Sequence, residues 1–239
     1  MKKFFKLVST ARKSEGWYVE LDGKPVRTPS GSLLVIPVEP LAEEIAREWR
    51  EQGEEIKPET MPLTQILVTA LDRVSQERDS IQASVLRYFD TDLLCYRAEQ
   101  PDTLVAREAA ARDPWLGWFG RTFGETLSTT TGLMVLRHSE QAHAKVMHAV
   151  RDLDLWGFTV LQMVTAATGS LILALAFVTG PAHEDDLLRA VYVEEDHKSD
   201  LYNEEFYGRA PQQEKAMQDV ARDLKAGRIF LACFGLKKD

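Results

Sequence analysis

Between Asp154 and His183 the chain carries no formally charged residue, and few architectures can absorb an uncharged stretch of that length. It either spans a bilayer or lies inside a protein core. Several features favour the core. Thr159, Gln162, Thr165, Thr168 and Ser170 interrupt the apolar run, Gly157 and Gly169 weaken it as one helix, and the flanks are acidic with no lysine or arginine cluster on one side. We therefore expect a buried helix, or two helices broken near Gly169, and no stable membrane insertion.

A core of that size needs elements around it, and the rest of the chain supplies them in two styles. The first forty residues read as a small antiparallel sheet. Trp17, Val19 and Leu21 alternate with Tyr18 and Glu20, Asp22-Gly23 is a two-residue hairpin signal, and Val26 to Thr28 and Leu33 to Ile36 supply further strands. After Pro40 the period becomes helical. Leu41, Ala42, Ile45 and Trp49 share one face, with Glu43, Glu44, Arg47, Glu48 and Arg50 on the other. The proline-punctuated segment 53–62 (GEEIKPETMP) then reads as a junction.

Beyond it every periodic segment is helical. Leu63, Ile66, Leu67, Ala70, Leu71 and Val74 form one stripe, and Ile81, Val85, Phe89 and Leu93 another. Asp113-Pro114 reads as a helix start before Trp115, Trp118, Phe119 and Phe123, and a last helix is expected to end at Gly227. The fold class is thus α+β. A small sheet-plus-helix domain, residues 1–58, precedes a larger all-helical domain, residues 59–239.

Charge and cysteine content narrow the function. A formal net charge of -8 across 239 residues argues against nucleic acid as a partner, because such proteins gather basic surface. Cys95 and Cys233 belong to no metal or redox spacing, which fits reduced structural cysteines. The lysines near the N-terminus are followed by Arg12, Lys13 and Glu15 rather than by a long apolar run, so the start reads as mature cytoplasmic sequence.

The chain contains no glycine-rich phosphate loop, GxSxG elbow, HExxH or paired CxxC. The nearest approach to a catalytic pattern is Glu-x-x-His, present as Glu140 with His143 and as Glu194 with His197. Di-metal carboxylate bundles use that spacing with both pairs pointing inward. At 100° per residue Glu140 falls opposite Ala142, Val146, Ala149 and Leu153, so the first pair faces water. Glu194 lies on the apolar stripe of its helix and His197 to the side. A helical-bundle metalloenzyme built on Glu194 and His197 is the alternative reading; the main expectation is no catalytic residue, no metal and no cofactor.

The helix beginning near Glu184 holds the most unusual pattern. Leu187, Leu188, Val191, Leu201 and Tyr202 define an inward stripe that Glu194 and Glu195 interrupt. Carboxylates on such a stripe are costly unless paired. Three explanations stand: an internal ion pair with an arginine of a neighbouring helix, a helix end that has left the core, or an exposed groove where a partner supplies the cation.

Five blocks, GWYVELDGKPVRTP (16–29), LAEEIAREWREQGEEIKPETMPLTQ (41–65), YFDTDLLCYRA (88–98), DPWLGW (113–118) and TGSLILALAF (168–177), occur in an order that resembles the ATP synthase F(1) complex assembly factor 2 family. The resemblance covers most of the chain. It implies a chaperone, active in the mitochondrial matrix or the cytoplasm of alpha-proteobacteria, that holds a new alpha subunit of F(1)-ATPase until the beta subunit replaces it. It also implies a functional acidic position in the late helix, which matches Glu194 or Glu195, and we expect both to bind the client. The protein is expected to work as a monomer.

Overall fold

The computed structural model describes residues 1–180, 182–201 and 211–235. The chain divides into two compact units, one made of Met1–Arg78 with Lys225–Asp239 and the other of Asp79–Leu224. The junction expected near residue 58 falls inside the first.

In that first unit β1 (Val8–Lys13), β2 (Gly16–Leu21) and β3 (Lys24–Pro25) form an antiparallel sheet in the order β1-β2-β3. The Asp22-Gly23 turn has both residues at positive φ, 49° and 78°, as a tight hairpin of the twisted-strand type requires. The Asp22 carboxylate also accepts the backbone N–H groups of Lys6 and Leu7 at 3.1 and 2.8 Å, and these donors hold its pKa below the usual range. Gly16 sits at φ 151°, and a Cβ there would lie 2.8 Å from the Ile36 carbonyl oxygen. Only glycine admits that approach. The strands expected at 26–28 and 33–36 are reduced to isolated bridges, Arg27 to Leu33 and Trp17 to Ile36. Their short pairing closes the loop over the core residues Leu34 and Ile36 without adding a full strand.

The helix α1 (Glu39–Arg50) buries Leu41, Ala42, Ile45 and Ala46. It also buries Glu48, which its position had assigned to the solvent face. The reason lies in the next helix, α2 (Pro62–Thr69). The Glu48 carboxylate accepts the N–H groups of Leu63 and Thr64 at 2.7 and 2.8 Å and the Thr64 hydroxyl at 2.7 Å. It thereby satisfies donors that a helix N-terminus leaves open. Burial nonetheless raises its pKa against those donors.

A π-helical turn at Ala70–Val74 leads from α2 into α3 (Ser75–Leu86). In the second unit come α4 (Asp102–Phe123), α5 (Glu140–Arg151), α6 (Leu155–Thr168), α7 (Leu171–Thr179), α8 (Glu184–Val191) and α9 (Val193–Leu201). Helix α4 runs through Pro114 instead of starting there. Asp113 is no N-cap; it pairs with Arg97 at 2.7 Å. The last helix, α10 (Pro211–Cys233), likewise continues through Gly227. Both residues lower helix propensity, and here tertiary packing outweighs it.

The uncharged stretch forms α6 and α7, parted at Gly169, which takes φ 69° in the left-handed region and ends α6. Every side chain from Leu171 to Phe177 is fully buried. Among the described residues no helix is long and apolar enough to cross a membrane. Asp92 fastens this hairpin to the segment before α4. Its carboxylate accepts the Ser170 hydroxyl at 2.6 Å, the Ile172 N–H at 3.0 Å and the Leu94 N–H at 3.1 Å. It is fully buried, and desolvation pushes its carboxyl up to about 6.

Candidate functional site

The expected single helix from Glu184 is two. At Tyr192 the backbone turns to φ -97°, ψ 14°, and α9 restarts at Val193. The break inverts the expected exposures. His197 is buried at 5% exposure, whereas the Glu194 side chain is 43% exposed and Glu195 faces solvent. Tyr202, the end of the expected stripe, lies outside the described residues.

Ending α8 leaves its final carbonyls without helical donors. One of them, Ala190, accepts from Arg112 Nε at 3.1 Å. Arg112 is 1% exposed and is the hub of the site. It pairs with Glu108, one turn earlier on α4 and equally buried, at 2.8 Å. Its Nη1 also donates to the Tyr96 carbonyl at 3.1 Å, and its Nη2 to Glu194 Oε1 at 3.2 Å. Glu108 in turn accepts the Ala98 N–H at 2.8 Å. A guanidinium can be buried only when its donors are met in this way. Near the end of α9, Asp200 pairs with Arg107 at 2.5 Å, a second tie between the same two helices.

The two acids therefore differ. Glu194 has its arginine from a neighbouring helix, the first of the explanations its position allowed. Glu195 has no ion pair or hydrogen bond among the described residues, and its charge helps burial to raise the pKa of Tyr192. The hub itself was missed. Its signal was present: counting back from Phe119 along the aromatic stripe of α4 by helical steps reaches Arg112, Ala111 and Glu108, all buried.

The Glu-x-x-His pairs do not converge. Glu140 is exposed, His143 lies 2.9 Å from the Asp90 carboxylate, and Glu194 is bonded to Arg112. His197 Nε2 finds no hydrogen-bond partner among the described residues. Among those residues no three His, Cys, Asp or Glu side chains come close enough to hold a metal ion. An open hollow of about 560 Å³ lies beside Gln52, Glu54 and Lys57. Its Gln52 side chain bonds the Glu48 carbonyl and the Lys57 N–H at 3.0 and 2.8 Å, which holds the loop's own backbone.

The chain as a whole is similar to known proteins. The model of the ATP12 chaperone protein family matches residues 2–120. The crystal structure of Atp12 from Paracoccus denitrificans superposes with a TM-score of 0.81 at 32% identity, over 99% of this chain and 98% of that one. A chaperone candidate from Agrobacterium tumefaciens gives 0.86 at 30% identity, over 98% of this chain and 86% of its own. The mitochondrial protein atp12 of Schizosaccharomyces pombe is 23% identical over 192 residues, which are 75% of this chain and 66% of the yeast protein's length. A third-identical relative matched over nearly its whole length settles the kinship, and the chain belongs to the ATP12 chaperone family.

Proposed function

We propose that the chain is an assembly chaperone of ATP synthase that binds the unassembled alpha subunit of F(1)-ATPase without catalysis and yields it to the beta subunit. The observation that carries this reading is the match to Atp12 over almost the full length of both chains. The physical need is plain. A ring subunit awaiting its neighbour exposes an interface that aggregates unless a temporary partner covers it, and mass action favours whichever state that partner binds.

Within this reading Glu195, and Glu194 beside it, contact the client. Glu195 is exposed and carries a charge that nothing among the described residues neutralises, so a lysine or arginine of the client can pair with it. Glu194 is held by Arg112 and orients the start of α9. In a bacterial cell the setting is the cytoplasm, and the chaperone acts as a monomer.

Capture of alpha subunit expressed without beta subunit tests the assignment. Glu195→Lys is expected to weaken capture with unchanged thermal stability. Glu194→Lys is expected to weaken capture and also to destabilise, because it sets a second cation against Arg112. Full capture by both variants would remove the acidic pair from the interface.

A further inference from the structure

An uncharged stretch, residues 126–136, lies between α4 and α5. At its tip Leu133, Met134 and Val135 are 99, 83 and 62% exposed. Single exposed apolar residues are ordinary on a protein surface, but three in succession are not.

The loop that carries them is built, not slack. Thr130 forms a parallel bridge with Tyr96, its N–H donating to the Cys95 carbonyl and its carbonyl accepting from Arg97, both at 2.9 Å. On the far side of the tip the Tyr96 hydroxyl lies 3.1 Å from the Asp90 carbonyl and 3.3 Å from that of Met134. It also accepts the Leu136 N–H at 3.2 Å. Two residues on, the His138 ring packs on Phe89 with centroids 4.7 Å apart. Fixed stems hold the three side chains in water when a free loop could fold them away, so the ordering needed for binding is made in advance.

We propose that the Leu133-Met134-Val135 tip is the apolar anchor by which the chaperone engages the exposed subunit interface of its client. This rests on the function proposed above and adds the contact that the acidic pair lacks. The two are joined through one residue: Arg112 donates to the Tyr96 carbonyl at the base of the loop and to Glu194 at the start of α9. The tip and the acids therefore keep a fixed spacing on one support. A second copy of this chain is a poor occupant. Tip against tip joins roughly a few hundred Å², against about 800 Å² per partner in a standard stable interface, and two copies of net charge -8 repel, whereas a client adds a cation for the acidic pair. A lipid surface fits poorly too, because Arg137 is the one lysine or arginine between 126 and 139 and the chain's net charge of -8 repels anionic headgroups.

The test replaces Leu133, Met134 and Val135 together by serine in the full chain and measures capture of alpha subunit expressed alone, beside wild type and Glu195→Lys. The expected result is a loss of roughly tenfold or more in affinity, on the scale of an interface hot spot, with an unchanged melting temperature. Undiminished capture by the serine variant, with wild-type capture intact, overturns the anchor and leaves the function standing. Absence of capture by wild type overturns both. Sedimentation velocity and flotation with phosphatidylglycerol vesicles complete the test. Self-association or vesicle binding that the serine variant abolishes assigns the tip to a second copy or to lipid and overturns the proposal.

Discussion

Two uncharged stretches of this chain, residues 155–182 and 126–136, reach opposite environments. In the first, side chains 171–177 are wholly buried, whereas the second holds Leu133 almost completely in water. Apolar content does not separate them; partners do. The buried stretch has helical period, a left-handed glycine that turns it back on itself, and Asp92 to cap its second helix. The exposed one is a loop whose main chain is tied down by Tyr96 while the side chains at its tip are left in water. Burial follows wherever the backbone's polar groups can be satisfied together with the side chains. Where only the backbone is satisfied, apolar surface is left for another molecule.

Mutations at matched leucines are the strongest way to break this contrast. Leu173→Ala in the hairpin is expected to cost about 2–5 kcal/mol in denaturant unfolding, as cavities in tight cores do. Asp92→Ala comes next. It leaves the Ile172 and Leu94 N–H groups and the Ser170 hydroxyl without an acceptor, which is expected to cost about 1–3 kcal/mol.

Asp92 also predicts a pH signature. Its folded pKa of about 6 lies above the ordinary 3.8, so the native state holds its proton more tightly than the unfolded chain. Its contribution is full below about pH 4 and declines as pH rises to about 6, by of order 1–3 kcal/mol. Asp22, Asp72 and Glu125, whose pKa values are lowered, act in the opposite sense. Only the difference between wild type and Asp92→Ala isolates the buried group. A difference that grows on acidification from pH 6 to 4 agrees with this; a flat one contradicts it. The smallest effect belongs to the loop. Leu133→Ala is expected to change stability by less than about 0.5 kcal/mol, and a cost approaching that of Leu173→Ala would show that the tip has an intramolecular partner.

What could be read from the residues alone follows the same division between local and distant partners. The Asp22-Gly23 hairpin, the break at Gly169 and the stripe of α5 depend on neighbours in sequence, and period and turn chemistry were enough to place them. Glu48, Asp92 and Arg112 depend on partners many residues away. A lone acid on a helix that reads as amphipathic gives no sign that it caps another helix. Pro114 and Gly227 misled for a related reason, since propensity marked boundaries that packing carried through. The acidic pair stands out because it interrupts a stripe, yet the break at Tyr192 reversed which neighbours were buried.

Everything proposed for the surface depends on one event, the capture of an unassembled subunit. The direct measurement is co-purification of this chain with the alpha subunit of F(1)-ATPase expressed alone, followed by addition of beta subunit. The account predicts a stable complex that beta subunit dissolves, with the chaperone leaving as the alpha–beta contact forms. A chaperone that recovers no alpha subunit, or a complex that beta subunit leaves intact, would contradict it.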